Sequence, residues 1–213
     1  MKIKQLVTIM VVIIGLLGGS AVGLWLSGSW QSRPNLSKAS SGAQPAHIKG
    51  AENAVVTLEE FGDFQCPPCA NFHEEIKTLQ EEYGSKLRVV YRHFPLSSHK
   101  NAFQAAQASE SAALQGKFWE MQNLLFERQN EWSESDNPRE VFINYARSLN
   151  LDETKFVQDM DLPQVKERIQ SDKERGDSVN ISATPTLFVN GEEIPSESMT
   201  AEGIRQAIDS AIR

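Results

Sequence analysis

Two cysteines three residues apart, set between a strand and a helix, constrain this chain more than any other feature. Val55 to Phe61 is a β-branched, largely apolar run that reads as a strand, Gly62-Asp63-Phe64-Gln65 breaks it, and Cys66-Pro67-Pro68-Cys69 follows. From Cys69 to Tyr83 the residues Phe72, Ile76 and Leu79 share one helical face, and Gly84 stops the pattern. Leu87 to Arg92 reads as a second strand. Strand, helix and strand within about 40 residues make a βαβ unit with parallel neighbours.

A helical block comes next. Ala102, Ala105, Ala106, Ser109, Ala112 and Ala113 form a small-residue face, and Phe118, Met121 and Leu125 continue at helical spacing. Pro138 opens a segment carrying Val141, Tyr145 and Leu149, Asp152 suits an N-cap, and Val165 to Arg175 forms a last helix. Strands return at Thr186–Val189 and Glu192–Ile194 around Asn190-Gly191, a strong hairpin signal. A final helix over about 200–212 buries Ile204, Ala207, Ile208 and Ala211. The order βαβ, helices, ββα predicts an α/β chain: a thioredoxin-like sheet over 51–213 with a helical insertion at about 96–177.

The N-terminal part differs in kind. Leu6 to Leu26 is uncharged and follows Lys2 and Lys4. As a helix it spans about 31 Å, the thickness of a bilayer core. It is longer than the apolar region of a cleaved signal peptide, about 7–15 residues, so an uncleaved anchor is expected at 6–26. Residues 1–5 then stay in the cytoplasm and the body sits on the extracytoplasmic side, as a single-pass cell-membrane protein. Gly15, Gly19 and Gly23 recur every four residues, a spacing that permits weak dimerisation through that face. Residues 27–50, rich in Ser, Gly, Ala and Pro, read as a flexible tether. Residues 51–213 carry 16 bases against 28 acids. Such a body repels phosphate backbones, which excludes nucleic acid as a partner.

The cysteine pair has a specific chemical use. At a helix N-terminus unpaired N–H groups and the helix dipole favour negative charge, so the Cys66 thiol should ionise readily and attack disulfides. Cys69, one turn on, can close a disulfide with Cys66 or resolve a mixed one. As a structural staple the pair would restrict almost no chain entropy. As half of a zinc site it lacks partners, because His47 lies in the tether and His73, His93 and His99 form no ligand-spaced pair. No metal or cofactor is expected, and His73 reads as a surface residue. Glu60, at the end of a strand that should be buried, would have a raised pKa and could trade protons with Cys69. Strand alternation leaves open whether Glu59 or Glu60 faces inward. Thr184-Pro185 heads an apolar strand, where proline's missing N–H is tolerated; cis X–Pro bonds are uncommon, so these residues alone predict trans.

Phe61-Gly-Asp-Phe-Gln-Cys66-Pro-Pro-Cys69, Tyr91-Arg-His-Phe-Pro-Leu96 and Ala183-Thr-Pro-Thr-Leu-Phe-Val-Asn-Gly191 together resemble the DsbA-like thiol–disulfide oxidoreductases, from about residue 48 to the C-terminus. The resemblance implies that Cys66 is the nucleophile, Cys69 the resolving thiol and Glu60 the acid beneath it. It also implies that Thr184-Pro185 is a cis-proline loop that binds extended peptide. Cysteine-containing exported proteins as substrates and a quinone-linked membrane oxidase as recycling partner follow from the resemblance too. Two positions depart from it. Pro67-Pro68 stands where strongly oxidising members often place a His before the second cysteine, which predicts a milder oxidant. Ala183 stands where the family commonly has Gly. The expected activity is disulfide introduction; a reductase or isomerase, and a non-catalytic peptide-binding or chaperone module, are the alternatives.

Overall fold

The computed structural model describes residues 44–213. The expected anchor at 6–26, its Gly15, Gly19 and Gly23 face, and the tether as far as residue 43 lie outside the described residues.

A five-stranded sheet has the order β1-β3-β2-β4-β5. Its centre is the βαβ unit: β2 (Val56–Gly62), α1 (Pro67–Tyr83) and β3 (Leu87–His93), with β2 and β3 parallel. β4 (Thr186–Val189) pairs antiparallel with β2, and β5 (Glu192–Glu193) pairs with β4. Asn190 and Gly191 join that hairpin with φ of 49° and 88°, the two positive values that a tight turn between twisted strands requires.

The tether is expected to run to Gly50, but its last four residues, His47–Gly50, form a strand, β1, antiparallel to β3. His47 is buried there. It meets Glu110 at 2.6 Å, and His93 meets the same carboxylate oxygen at 2.8 Å. Three polar side chains too far apart in sequence to suggest a group thus pin β1 beneath the helices.

The two faces of the sheet are covered differently. Val56, Leu58, Leu87, Val89 and Leu187 pack on Ile76 and Leu79 of α1 and on Ile204 and Ile208 of α8 (Ala201–Ile212). On the other face Phe61 packs with Phe94, Ile181 and Phe188. Gly176 reaches that face, where a Cβ would lie 2.5 Å from the Phe94 ring.

The insertion holds α2 (Ala102–Ala113), α3 (Phe118–Glu127), α4 (Gln129–Trp132), α5 (Pro138–Ser148), α6 (Glu153–Asp159) and α7 (Pro163–Ser178). Asp152 caps α6 as its sequence suggests, accepting from the Lys155 N–H at 2.9 Å. The small face of α2 lets α3, α5 and α7 close around Met121, Trp132, Phe142 and Ile169. Cys66, Cys69, Phe64 and Tyr91 belong to this same core, so the sulfurs lie at the seam between sheet and insertion.

Candidate active site

Cys66 is the N-cap of α1, and Pro67 and Pro68 occupy its first turn, where their missing N–H groups have no helical partner to lose. The turn leading into it is organised by Asp63. Its fully buried carboxylate accepts from the Gln65 N–H at 2.7 Å, the Leu96 N–H at 2.9 Å and His99 Nδ1 at 2.7 Å. Its carbonyl accepts from the Cys66 N–H at 3.1 Å. The insertion grips the same turn, for Gln129 Nε2 donates to the carbonyls of Phe64 at 2.8 Å and Cys66 at 3.1 Å. Sequence reasoning missed Asp63 and Gln129. The Asp-x-Gln spacing that allows a side chain to cap the N–H two residues on was the available signal for Asp63; Gln129 had none.

Both cysteines are free thiols and buried. The hydrogen bond from Cys69 to the Cys66 sulfur brings the Cys66 thiol down to about 6 against the opposing effect of burial, with help from Thr184 and the Cys69 N–H. Burial, and then that same bond, push the Cys69 thiol well above its ordinary range. One sulfur is therefore ready to ionise and the other to stay protonated.

Thr184-Pro185 closes over this pair with a cis peptide bond, as the family resemblance implies and against the trans expected from the residues alone. The Cys66 Sγ–H donates to the Thr184 carbonyl at 3.1 Å. Thr184 is buried, and its side chain faces the Cys66 sulfur and favours its ionised form.

The question of which glutamate faces inward is settled by the sheet. Glu59 lies on the face where Arg92 meets it at 2.7 Å. Glu60 lies on the α1 face, 3% exposed and next to Tyr91 across the strands. Burial, and then the negative charge at Cys66, raise its carboxyl to about 8. Gly62, the next residue on that face, has no room for a side chain because a Cβ would sit 2.6 Å from the Tyr91 ring. The structure thus brings Glu60, Cys66, Cys69, Pro67, Pro68, Thr184 and Pro185 to one end of the sheet. It also corrects the reading of His73 as a surface residue. His73 shares a face of α1 with Cys69 and Ile76 and is 6% exposed.

A βαβ and ββα sheet, an inserted helical subdomain and a dithiol at a helix start facing a cis-proline loop define the class: a thioredoxin-fold protein with the DsbA-like arrangement of sheet and insertion. The family model described as Thioredoxin matches residues 43–210, and the chain belongs to that family. Solved structures with the same fold include BdbD from Bacillus subtilis, 24% identical, with a TM-score of 0.70 and 80% of this chain and 97% of that one covered. Another is α-DsbA1 from Wolbachia pipientis, 21% identical, with a TM-score of 0.71 and coverages of 83% and 98%.

Curated relatives are of a different kind. A protein named Na(+)/H(+) antiporter NhaA 1 from Mycolicibacterium gilvum is 43% identical over 148 residues, 68% of this chain and 23% of that protein. One named Na(+)/H(+) antiporter NhaA from Herminiimonas arsenicoxydans is 40% identical over 148 residues, 70% of this chain and 23% of the relative. The chain spans about a quarter of the length of the curated relatives it matches. These relatives correct the expected location. A single-pass cell-membrane protein with an extracytoplasmic catalytic domain is not what they describe, and no helix among the described residues is long and apolar enough to cross a membrane. That assignment does not hold.

Proposed function

We propose that this chain introduces disulfides into cysteine-containing polypeptides by exchange through Cys66 and Cys69. The observation that carries the reading is the divided character of the dithiol, with Cys66 at about 6 and Cys69 held high. A low-pKa sulfur is the better leaving group and the sulfur that stays reduced most readily, so the disulfide form gives up its bond to substrate.

A substrate thiolate attacks the Cys66 sulfur of the Cys66–Cys69 disulfide. That bond breaks, a mixed disulfide forms at Cys66, and Cys69 leaves with the electron pair and takes a proton from Glu60. A second substrate thiol, giving its proton to solvent, attacks the substrate sulfur of the mixed disulfide and expels Cys66 as a thiolate. Substrate has lost two electrons and the pair has gained them. A separate redox partner removes those electrons in the next cycle. Thr184 and Pro185 hold the substrate backbone beside Cys66, and Pro67 and Pro68 set how strongly the pair oxidises.

The test is equilibration of the purified protein in graded glutathione buffers with trapping of free thiols. A pair more oxidising than the glutathione pool is expected. A strongly reducing pair overturns the direction and favours a reductase or isomerase. Cys66→Ser abolishes exchange; full function in that variant would leave only a peptide-binding role.

A further inference from the structure

Besides the Tyr91 hydroxyl, two buried polar atoms near the cysteines lack a protein partner, Glu60 Oε1 and His73 Nε2. Both residues line one small cavity between α1, α3 and the sheet, together with Lys49, Lys77, Gln122 and Asn123. The cavity leaves about 10 Å³ for the centre of a water molecule, the size of one ordered water. An unpaired buried polar atom is costly, so two of them beside one water-sized space have a common solution.

We propose that His73 is a positioning residue for proton transfer. Through one ordered water in the cavity it shares with Glu60, it passes protons between that carboxyl and the surface. The inference rests on the exchange reaction above and adds the route by which its proton arrives. When Cys69 leaves as a thiolate it takes the Glu60 proton. The water returns a proton to the carboxylate, and the imidazole restores the water by drawing on solvent at the rim near Lys49 and Lys77. One proton enters per disulfide reduced, and the same route runs backwards when the pair is re-oxidised.

Imidazole suits the position because its neutral form both donates and accepts. Burial, and then Lys77, push His73 below its ordinary value, against Glu74, Asn123 and Glu127. Around Glu60 the facing ionisable groups are Cys66 and Cys69 on α1 and Tyr91 on β3. Of these, Cys66 opens toward substrate, while Cys69 and Tyr91 are fully buried. On the α1–α3 side, His73 stands between the carboxyl and the rim at Lys49 and Lys77.

The test compares the full chain with His73→Phe and His73→Gln. Multiple-turnover exchange at pH 7, in which Glu60 must regain its proton in every cycle, should slow about 5- to 20-fold in His73→Phe, with a larger solvent isotope effect. His73→Gln should recover part of the loss. Alkylation of Cys66 should keep its rate and pH profile in both. An independent readout is deuterium exchange at the Glu60 carboxyl, followed by its infrared C=O band. It should slow in His73→Phe whether or not the protein is active. Unchanged turnover and carboxyl exchange in His73→Phe would overturn the proposal. So would an equal fall in turnover and Cys66 alkylation, which marks a packing role. A chain with no exchange activity but slowed carboxyl exchange in His73→Phe would sink the function and leave the proton route standing.

Discussion

The Cys66 sulfur donates to the Thr184 carbonyl oxygen at 3.1 Å, a contact between residues 118 positions apart. The contact belongs to the thiol. Once Cys66 ionises it has nothing to donate, which on the proposed function frees the carbonyl for an N–H of an extended substrate and leaves the Thr184 hydroxyl to donate to the sulfur.

Thr184→Val keeps the shape and removes that hydroxyl. The Cys66 pKa should rise from about 6 by about half to one unit. Thiolate absorbance in the ultraviolet, followed against pH, measures it directly. An unchanged titration would mean that the hydroxyl plays no part in holding the thiolate.

Pro68→His places an imidazole and one extra backbone N–H in the first turn of α1, where both favour negative charge on Cys66. The pair should become more oxidising, by about 30 mV for each ~1.4 kcal/mol of added thiolate stabilisation. Glutathione equilibration of the variant beside the parent reads the shift. A more reducing variant would show that Pro67-Pro68 does not restrain the oxidising strength.

Glu60→Gln tests the buried carboxyl through stability. Its folded pKa is raised from 4.5 to about 8. Between those values the folded state holds a proton that the unfolded state has released, so stability falls as pH climbs through that window. Glutamine removes the dependence. The variant should gain up to about 3–5 kcal/mol over the parent at pH 8 and nothing below pH 4. Denaturant melts at the two pH values decide, and equal gains at both would place the carboxyl in solvent.

Glu110 behaves in the opposite sense. Burial raises its carboxyl, but hydrogen bonds from His47 and His93 outweigh burial and bring it to about 2. A depressed carboxyl contributes stability above its unfolded value that is lost as pH falls toward the folded one, here between about 4.5 and 2. The contribution is about 3 kcal/mol. His47→Ala should therefore destabilise the protein at pH 7 and flatten its acid limb. Melting temperature against pH checks both, and an unaltered acid limb would show that His47 does not hold the carboxylate.

Much of this architecture is legible in the chain because local chemistry and global fold agree. Asn190-Gly191 demands a tight hairpin, Asp152 caps the helix it precedes, and the alanines of α2 at helical spacing announce a close packing face. The candidate dithiol stands out in the chain because two cysteines at a helix start have few other uses. What escaped has a shared physical cause. β1 is four residues long, HIKG, three of them outside the core. Nothing in its own pattern speaks for a strand, and only pairing with β3 and the Glu110 contact make it one. His73 looked solvated because a histidine among Glu74, Glu75 and Lys77 resembles a polar face. Yet the spacing Cys69, His73, Ile76 already set it inward. Asp63 and Gln129 act on backbone groups of a turn that has no sequence pattern of its own.

The pairing of Glu60 with Leu187 joins strands on either side of the whole helical insertion. During synthesis the cysteines therefore emerge long before the strand and proline loop that cover them. Until residues beyond Val189 are available, β2 has an open edge, Glu60 has no dry environment to raise its pKa, and Cys66 has no Thr184 above it. The site therefore assembles only after the whole insertion has been made. A chain shortened before β4 would keep both cysteines and lose the chemistry that distinguishes them.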